Sequence, residues 1–171
     1  MSAPEDWARA FARQAQADFA AWEAMQDADQ VAPCCKLVHL QMACEKLCKA
    51  HLIQAGSDAM KLQGSHGYVA SQLPVIVRQQ LIKRNTSVAA TQSNLRSARQ
   101  LAQEIELLSP QQDRGGQRPD NCEYPWEDGT GRVLSPLDWS FPSVNLLLLP
   151  NGRNFLRLIR HAIDDLVEEL Q

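Results

Sequence analysis

The sequence predicts an all-α protein: an up-and-down bundle of four to five helices with a long Pro/Gly-rich loop before the last helix. One observation is that apolar and small residues recur every three or four positions in several long stretches. Another is that residues 110–150 lack this spacing and contain six of the nine prolines and four of the eight glycines. Residues 1–171 are expected to form one domain, because 171 residues can bury a core of their own.

The segment 33–56 is expected to be the central helix. Pro33 suits its first turn, and Gly56 suits the left-handed residue after its end. The spacing gives two adjacent apolar stripes, which are Leu37, Leu40, Cys44, Leu47 and His51, and Val38, Met42, Cys48, Leu52 and Ala55. A helix that is apolar on two faces needs neighbours on both. Glu45 and Lys49 are interpreted as an i, i+4 pair that stabilises this helix by about 0.2–0.5 kcal/mol and has no further role.

Four further helices are expected around this one. The spacing predicts them over residues 3–28, 68–84, 86–108 and 152–170. Pro74 removes a backbone hydrogen bond, so a kink or break is expected near residue 73. Residues 57–67 contain two glycines and are expected to be a connector, and Asn151 is expected to cap the last helix.

The stretch 110–150 is too long for a plain connection between helices, which indicates a functional or partly mobile loop. It is not poor in apolar residues, because it contains Trp126, Trp139 and Phe141. We therefore predict a loop held against the bundle. The run Leu146–Leu149 is expected to be buried or to lie at an interface.

Composition excludes several classes of function. The net charge is -3 and the pI about 5.8, so there is no global basic field, and any contact with nucleic acid needs a local patch. No stretch approaches 18 consecutive apolar residues, and the N-terminus is acidic, so neither a membrane span nor a secretory signal is expected. No phosphate-binding glycine loop or dinucleotide fingerprint is present, and no cofactor is expected.

The five cysteines, at positions 34, 35, 44, 48 and 122, are odd in number, and four of them fall in one predicted helix. This favours free thiols in a reducing compartment, and a cytoplasmic location is expected. Cys44, Cys48 and His51 have a spacing that could hold a metal. With no C-x-x-C pair and no further ligand at a telling spacing, a packed core is the favoured interpretation, and no metal is expected.

The last helix has an unusual order of charges. Arg153, Arg157, Arg160 and His161 occupy its first half, and four carboxylates occupy its second half. The helix dipole favours the reverse order by about 0.3–1 kcal/mol for each charge near an end. Arg153, Arg157, Arg160 and Asn151, with the free N–H groups of residues 151–154, are therefore candidates for binding phosphate. The alternative is that the arginines neutralise the acidic loop residues Asp120, Glu123, Glu127 and Asp128.

Residues 41–52, QMACEKLCKAHL, with Gly56 and His66 after them, resemble the HEPN (higher eukaryote and prokaryote nucleotide-binding) domain. Its pattern there is Q-x-A-x-E-K-x-x-K-A-x-L, then a glycine, then H-x-L. Residues 18–21 and 123–126 resemble further segments of the family. The resemblance implies a helical bundle, usually a dimer, in a cytoplasmic protein. Such proteins are often encoded beside a minimal nucleotidyltransferase in toxin–antitoxin or phage-defence modules.

Many members of the family are metal-independent endoribonucleases, with an arginine and a histidine separated by four to six residues. Here three residues separate Arg157 from His161 and seven separate Arg153 from it, so neither pair matches. We predict a HEPN-like homodimer that binds nucleotide or RNA with a degenerate catalytic motif, in which Arg157 and His161 are the candidate catalytic residues. One alternative is an active metal-independent HEPN endoribonuclease. Another is a non-catalytic partner of a nucleotidyltransferase that binds through Leu146–Leu149.

Overall fold

The computed structural model describes residues 3–110 and 120–171, and these are mostly helical, which confirms the all-α prediction. The helices within the described chain are α1 (Pro4–Ala24), α2 (Pro33–Gln54), α3 (Ala59–Gln63), α4 (Val69–Lys83), α5 (Val88–Glu106), α6 (Pro142–Leu148) and α7 (Pro150–Glu169). Two short strands, β1 (Trp126–Glu127) and β2 (Val133–Leu134), pair antiparallel, and Pro136–Asp138 form a 3-10 turn.

The central helix α2 is the most thoroughly buried element, and it packs against α1, α3, α4 and α5. Its first predicted stripe is confirmed as core, because Leu37, Leu40, Cys44 and Leu47 are all buried. The predicted limits of the helix are also close to the observed ones. Pro33 is its first residue, and Gly56, two residues after its end, has φ +94°.

Helix α1 lies along α2 through small side chains. Ala8, Ala12 and Ala15 are fully buried, so the two backbones approach closely over the first half of α1. Phe19 and Trp22 fill the second half, with their ring centroids 5.2 Å apart. Helix α1 therefore buries an alanine stripe followed by an aromatic pair.

Several predicted boundaries differ from the structure. The predicted connector 57–67 contains α3, which begins where the Asp58 carboxylate accepts a hydrogen bond from the Met60 N–H at 2.9 Å. Helix α4 continues without a break through Pro74, so the proline does not end it. The first helix ends at Ala24 rather than near residue 28.

The prediction that Asn151 caps the last helix is wrong. Helix α7 begins at Pro150, so Leu149 is the cap residue and Asn151 already lies in the first turn. The physical reason is that proline fits the first helical position, where its missing N–H costs nothing. The Asn151 amide donates instead to the Ser97 hydroxyl on α5 at 3.1 Å.

The predicted loop 110–150 lies partly outside the described residues, since 111–119 are not described. Residues 120–149 are more structured than expected, because they contain β1, β2, the 3-10 turn and α6. Trp126 is buried and packs edge-on against Trp139, with ring centroids 5.5 Å apart. Phe141, at 2% exposure, joins the main core just before α6.

Helices α6 and α7 meet at a corner that depends on Gly152. A Cβ atom on Gly152 would lie 2.1 Å from the Leu146 carbonyl oxygen and 2.7 Å from Leu147 Cα. Both neighbours are backbone atoms, which cannot rotate away. The absence of a side chain at Gly152 therefore allows α7 to pack directly on α6.

We expect Gly152→Ala to lower the free energy of unfolding by about 1–3 kcal/mol or more, because the added methyl group overpacks a backbone contact. Chemical denaturation followed by circular dichroism measures this. Gly64→Ala is the matched control, because a Cβ there meets nothing within 4 Å. Equal unfolding midpoints for the two variants would contradict the assigned role of Gly152.

Candidate functional site

The first half of α7 presents a basic face to solvent. Arg153, Arg157 and His161 follow one another at four-residue intervals and therefore lie on one side of the helix. The two arginines are exposed and His161 is half-buried. Arg157 is oriented by a hydrogen bond from its Nη2 to Asn154 Oδ1 at 2.6 Å, and Asn154 donates to Asn94 of α5 at 2.6 Å.

Two predicted phosphate-binding residues already have partners. Arg160 forms an ion pair with Glu23 of α1, and its guanidinium lies 5.9 Å from the centre of the Phe19 ring. Asn151 is engaged by Ser97. Both side chains connect α7 to its neighbours, so Arg153 and Arg157 are the stronger candidates for an external anion.

The backbone at the start of α7 is less open than the sequence indicated. The Arg153 N–H donates to the Leu149 carbonyl at 2.9 Å, so the free N–H groups do not extend to residue 154. Pro150 has no N–H, and Gly152 is buried against α6. Side chains must therefore supply most of any anion contact here.

The acidic loop residues do not neutralise Arg153 or Arg157. Within the described chain, no ion pair joins either arginine to a carboxylate. Asp128 instead accepts hydrogen bonds from Thr130 and from the Arg132 backbone, which lower its pKa. Arg153 and Arg157 thus keep their charge available.

A cleft of about 330 Å³ opens beside Arg153, between α1, α2, α6 and α7. Its lining is mostly apolar and includes Trp22, Leu147 and Leu148. Lys36 and Arg153 are its two cations, and no carboxylate lines it. Lys36 is positioned by donating to the Gln26 carbonyl at 3.0 Å. A ligand with an apolar body and a negative group fits this chemistry.

A second cleft, of about 260 Å³, lies on the other side of α6. It is lined by Ser97, Gln100, Leu101, Leu146, Leu149, Pro150, Asn151 and Gly152. No charged residue is among them, so this cleft has nothing to balance the charge of an anion. The cleft beside Arg153 is therefore the better candidate.

The structure also contains a buried charged cluster that was not predicted. Glu45 and Lys49 are only 7% and 3% exposed, and Glu45 Oε1 lies 2.7 Å from Lys49 Nζ. The other carboxylate oxygen accepts a hydrogen bond from Gln41 at 2.8 Å and lies 3.1 Å from His66 Nδ1. Lys49 also donates to the Gln63 carbonyl at 3.3 Å.

The interpretation of Glu45 and Lys49 as a weak helix pair is therefore wrong, because that value holds for exposed pairs. Burial raises the Glu45 pKa, but hydrogen bonds from Lys49, Gln41 and His66 outweigh it, and the pKa is lowered overall. The four-residue spacing of Gln41, Glu45 and Lys49 on a helix that is otherwise apolar was the signal that could have revealed the cluster.

A related contact joins α2 to α1. Asp18 is 7% exposed and lies 2.5 Å from Lys46 Nζ, and Gln14 donates to it at 3.5 Å. His39 Nδ1 lies 3.9 Å from the same carboxylate. The acidic residue of helix 1 that forms part of the HEPN resemblance is thus a structural contact to α2.

Two of the three residues with metal-like spacing lie in the core, and His51 is half-buried. Cys44 and Cys48 are fully buried, and burial raises the pKa of the Cys44 thiol to about 12. Burial also lowers the pKa of His51. Within residues 3–110 and 120–171, no three His, Cys, Asp or Glu side chains are grouped so as to hold a metal ion.

No protein-family model matches this chain, and neither a curated protein nor a solved structure matches it. The HEPN resemblance therefore stays a prediction from residues 41–66. Among the helices that the structure describes, none is both long enough and apolar enough to cross a membrane.

We expect Glu45→Gln to lower the free energy of unfolding by about 3–5 kcal/mol, because it leaves the Lys49 ammonium buried without its counter-ion. Adding Lys49→Met should restore part of the loss. Since the Glu45 pKa is lowered in the folded state, its stabilisation is present above pH 4.5 and is lost as the pH falls through the folded pKa.

The measurement is denaturant unfolding of the three proteins between neutral and acidic pH. The exposed pair Arg9–Asp6, 3.5 Å apart, supplies the control variant Asp6→Asn, which should have a much smaller effect. A Glu45→Gln protein as stable as the unchanged chain would show that the buried pair does not hold the helices together.

Proposed function

We propose that this protein binds a nucleotide or RNA through the basic face of α7 and the cleft beside it. The observation that carries the proposal is the cleft of about 330 Å³ with apolar walls, two cations and no carboxylate in its lining. A nucleotide has the matching parts, a flat and largely apolar base attached to a charged phosphate.

The arrangement of side chains supports one orientation of the ligand. The base lies against Trp22, Leu147 and Leu148, where it displaces water from apolar surface. The phosphate then lies at the rim, between Lys36 and Arg153. Arg157, one turn further along α7, is placed to contact a second phosphate.

In the proposed function Arg157 and His161 hold the ligand in place and do not cleave it. They share one face of α7, as an arginine and a histidine must if a guanidinium is to hold a phosphate while an imidazole transfers a proton. Their separation by three residues differs from the endoribonuclease motif of HEPN proteins. Binding without cleavage is therefore the function we propose.

The wider setting of the proposal follows the HEPN resemblance. We propose a HEPN-like up-and-down bundle that forms a homodimer in the cytoplasm and acts in a toxin–antitoxin or phage-defence module. The sequence pattern of residues 41–52 and the buried positions of Gln41, Glu45 and Lys49 support the HEPN-like part of this proposal.

We expect the double variant Arg153→Gln with Arg157→Gln to bind adenosine triphosphate and a short RNA at least about tenfold more weakly, because two charge-assisted contacts are lost. Binding of RNA by the unchanged protein should weaken as salt concentration rises, and less steeply in the variant. Fluorescence titration at several salt concentrations measures both effects.

Arg132→Gln is the control, because Arg132 is exposed in the loop between β1 and β2 and lines neither cleft. Binding unchanged by the double variant would remove the proposal. The same RNA is then incubated with a metal chelator. Cleavage that disappears in His161→Ala would favour an endoribonuclease over a binding protein.

The second candidate function is a protein-interaction module, such as the partner of a nucleotidyltransferase. It is favoured by the exposure of Leu148 and Leu149, which are 67% and 54% exposed where α6 meets α7. Large aliphatic side chains exposed side by side are typical of a contact surface.

For this candidate we expect Leu148→Asp to abolish self-association or partner binding while the fold is retained, since Leu148 is exposed. Leu147→Asp is unsuitable for this test, because Leu147 is 8% exposed and its replacement would disturb the core. Analytical ultracentrifugation and circular dichroism separate the two effects. An unchanged oligomeric state and unchanged capture of the partner would exclude this surface.

A further inference from the structure

The hairpin formed by α4 and α5 differs in charge from the rest of the chain. Residues 69–103 contain five Lys or Arg residues and no Asp or Glu, although the whole chain carries 17 basic and 20 acidic residues. Exposed helices commonly place carboxylates three or four residues from their cations, because such pairs stabilise the helix. This hairpin lacks those pairs over almost its whole length.

Three of the five cations are uncompensated. Lys83 is not among them, because its Nζ lies 2.8 Å from Asp165 of α7, and Arg84 lies near the same carboxylate. Arg78 on α4 and Arg96 and Arg99 on α5 are exposed. In the part of the chain that the structure describes, none of these three forms an ion pair.

The two helices place these cations at the same level of the hairpin. Helices α4 and α5 are joined by a turn in which Asn85 adopts φ 51°. At the opposite end of the hairpin, the Ala70 N–H donates to the Glu106 carboxylate at 2.8 Å. The helices are therefore antiparallel along their whole length. Arg78, midway along α4, lies at about the same level of the hairpin as the stretch of α5 that carries Arg96 and Arg99.

The outer side of α5 forms a shallow polar surface. A depression of about 510 Å³ is lined there by Gln92, Leu95, Arg96, Arg99, Gln100 and Gln103. From Gln92 to Gln103 the helix extends about 16 Å. Glutamine amides and arginine guanidiniums all offer N–H donors, and no carboxylate on this surface competes for them.

We propose that this outer face of the α4–α5 hairpin, centred on Arg96 and Arg99, binds the phosphate backbone of a nucleic-acid strand. At about 3.4 Å of duplex axis per phosphate on one strand, a surface of about 16 Å is matched by several consecutive phosphates. The glutamines donate further hydrogen bonds to phosphate, sugar or base edges. The contact does not require a particular base sequence.

A polymer fits this face better than other anions do. The face is extended and open, so it does not enclose a small ion. Within the depression on α5 the only apolar lining residue is the half-buried Leu95, and the exposed apolar side chains of the hairpin, Val75, Ile82 and Val88, lie outside it. The depression therefore lacks the apolar centre of a protein interface. A polyanion gains from repeated phosphate contacts without needing such a centre.

This inference rests on the proposed function for the class of ligand, and it identifies a strand rather than a free nucleotide as the partner. The two surfaces are carried by different residues, Arg153 and Arg157 on α7 and Arg78, Arg96 and Arg99 on the hairpin. Their contributions can therefore be measured separately.

The test is the triple variant Arg78→Gln, Arg96→Gln, Arg99→Gln, titrated with labelled single-stranded RNA and DNA by fluorescence anisotropy. Three lost phosphate contacts should reduce the salt slope by about 2 and weaken binding about 100-fold at about 0.1 M salt. Binding of adenosine triphosphate should stay unchanged, because the nucleotide uses the cleft beside α7.

The control variant Arg13→Gln, Lys61→Gln, Arg132→Gln removes the same charge from exposed positions elsewhere. It should retain most of the affinity and salt slope. Equal losses in the two triple variants would mean that only net charge matters, and would overturn the inference. Unchanged RNA binding by the hairpin variant would also overturn the inference. The same holds if the unchanged protein binds phosphatidylserine vesicles but neither RNA nor DNA. The α7 double variant tests the proposed function separately, because that variant and not the hairpin variant should lose nucleotide binding.

Discussion

The ion pair between Glu45 and Lys49 inside α2 is the constraint on which the arrangement of the helices depends. Two charges removed from water are tolerated only when their remaining hydrogen-bonding groups are satisfied. Gln41, His66 and the Gln63 carbonyl supply those partners, and the Lys49 ammonium lies 5.7 Å from the centre of the Phe11 ring. Rotating α2 by one residue would separate Glu45 from His66 and Lys49 from the Gln63 carbonyl, because these two partners lie outside the helix.

This constraint fixes α2 from both sides. Asp18 and Lys46 connect it to α1, while Gln63 connects it to the end of α3 and His66 to the segment between α3 and α4. The start of α2 is thereby held where Lys36 can face α6 and α7. The candidate site thus lies at the end of a helix whose position is set by polar contacts in the middle.

The sequence predicted α2 well because its signals were local. Pro33, the apolar spacing and Gly56 act within one helix, and the structure keeps all three. The prediction for Asn151 was wrong because it considered only the preference of asparagine for the cap position. Pro150 favours the first helical turn more strongly, and Leu149 therefore becomes the cap residue. The prediction failed for Glu45 and Lys49 because a charged residue is usually exposed, and burial depends on neighbours distant in sequence.

The candidate site was predicted only in part for the same reason. The alignment of Arg153, Arg157 and His161 follows from helical geometry, which is local. The cleft beside them needs surfaces from α1, α2, α6 and α7, which lie up to about 130 residues apart in the sequence. No spacing rule within one segment could bring Trp22, Lys36 and Leu147 together.

The distribution of the five thiols has a practical consequence. Cys34, Cys44, Cys48 and Cys122 are buried, and Cys35 alone is exposed, within the first turn of α2 and next to Lys36 at the mouth of the cleft. A maleimide dye added to the native protein would consequently attach at one place. The dye would stand one residue from Lys36, a lining residue of the cleft, without any engineered cysteine.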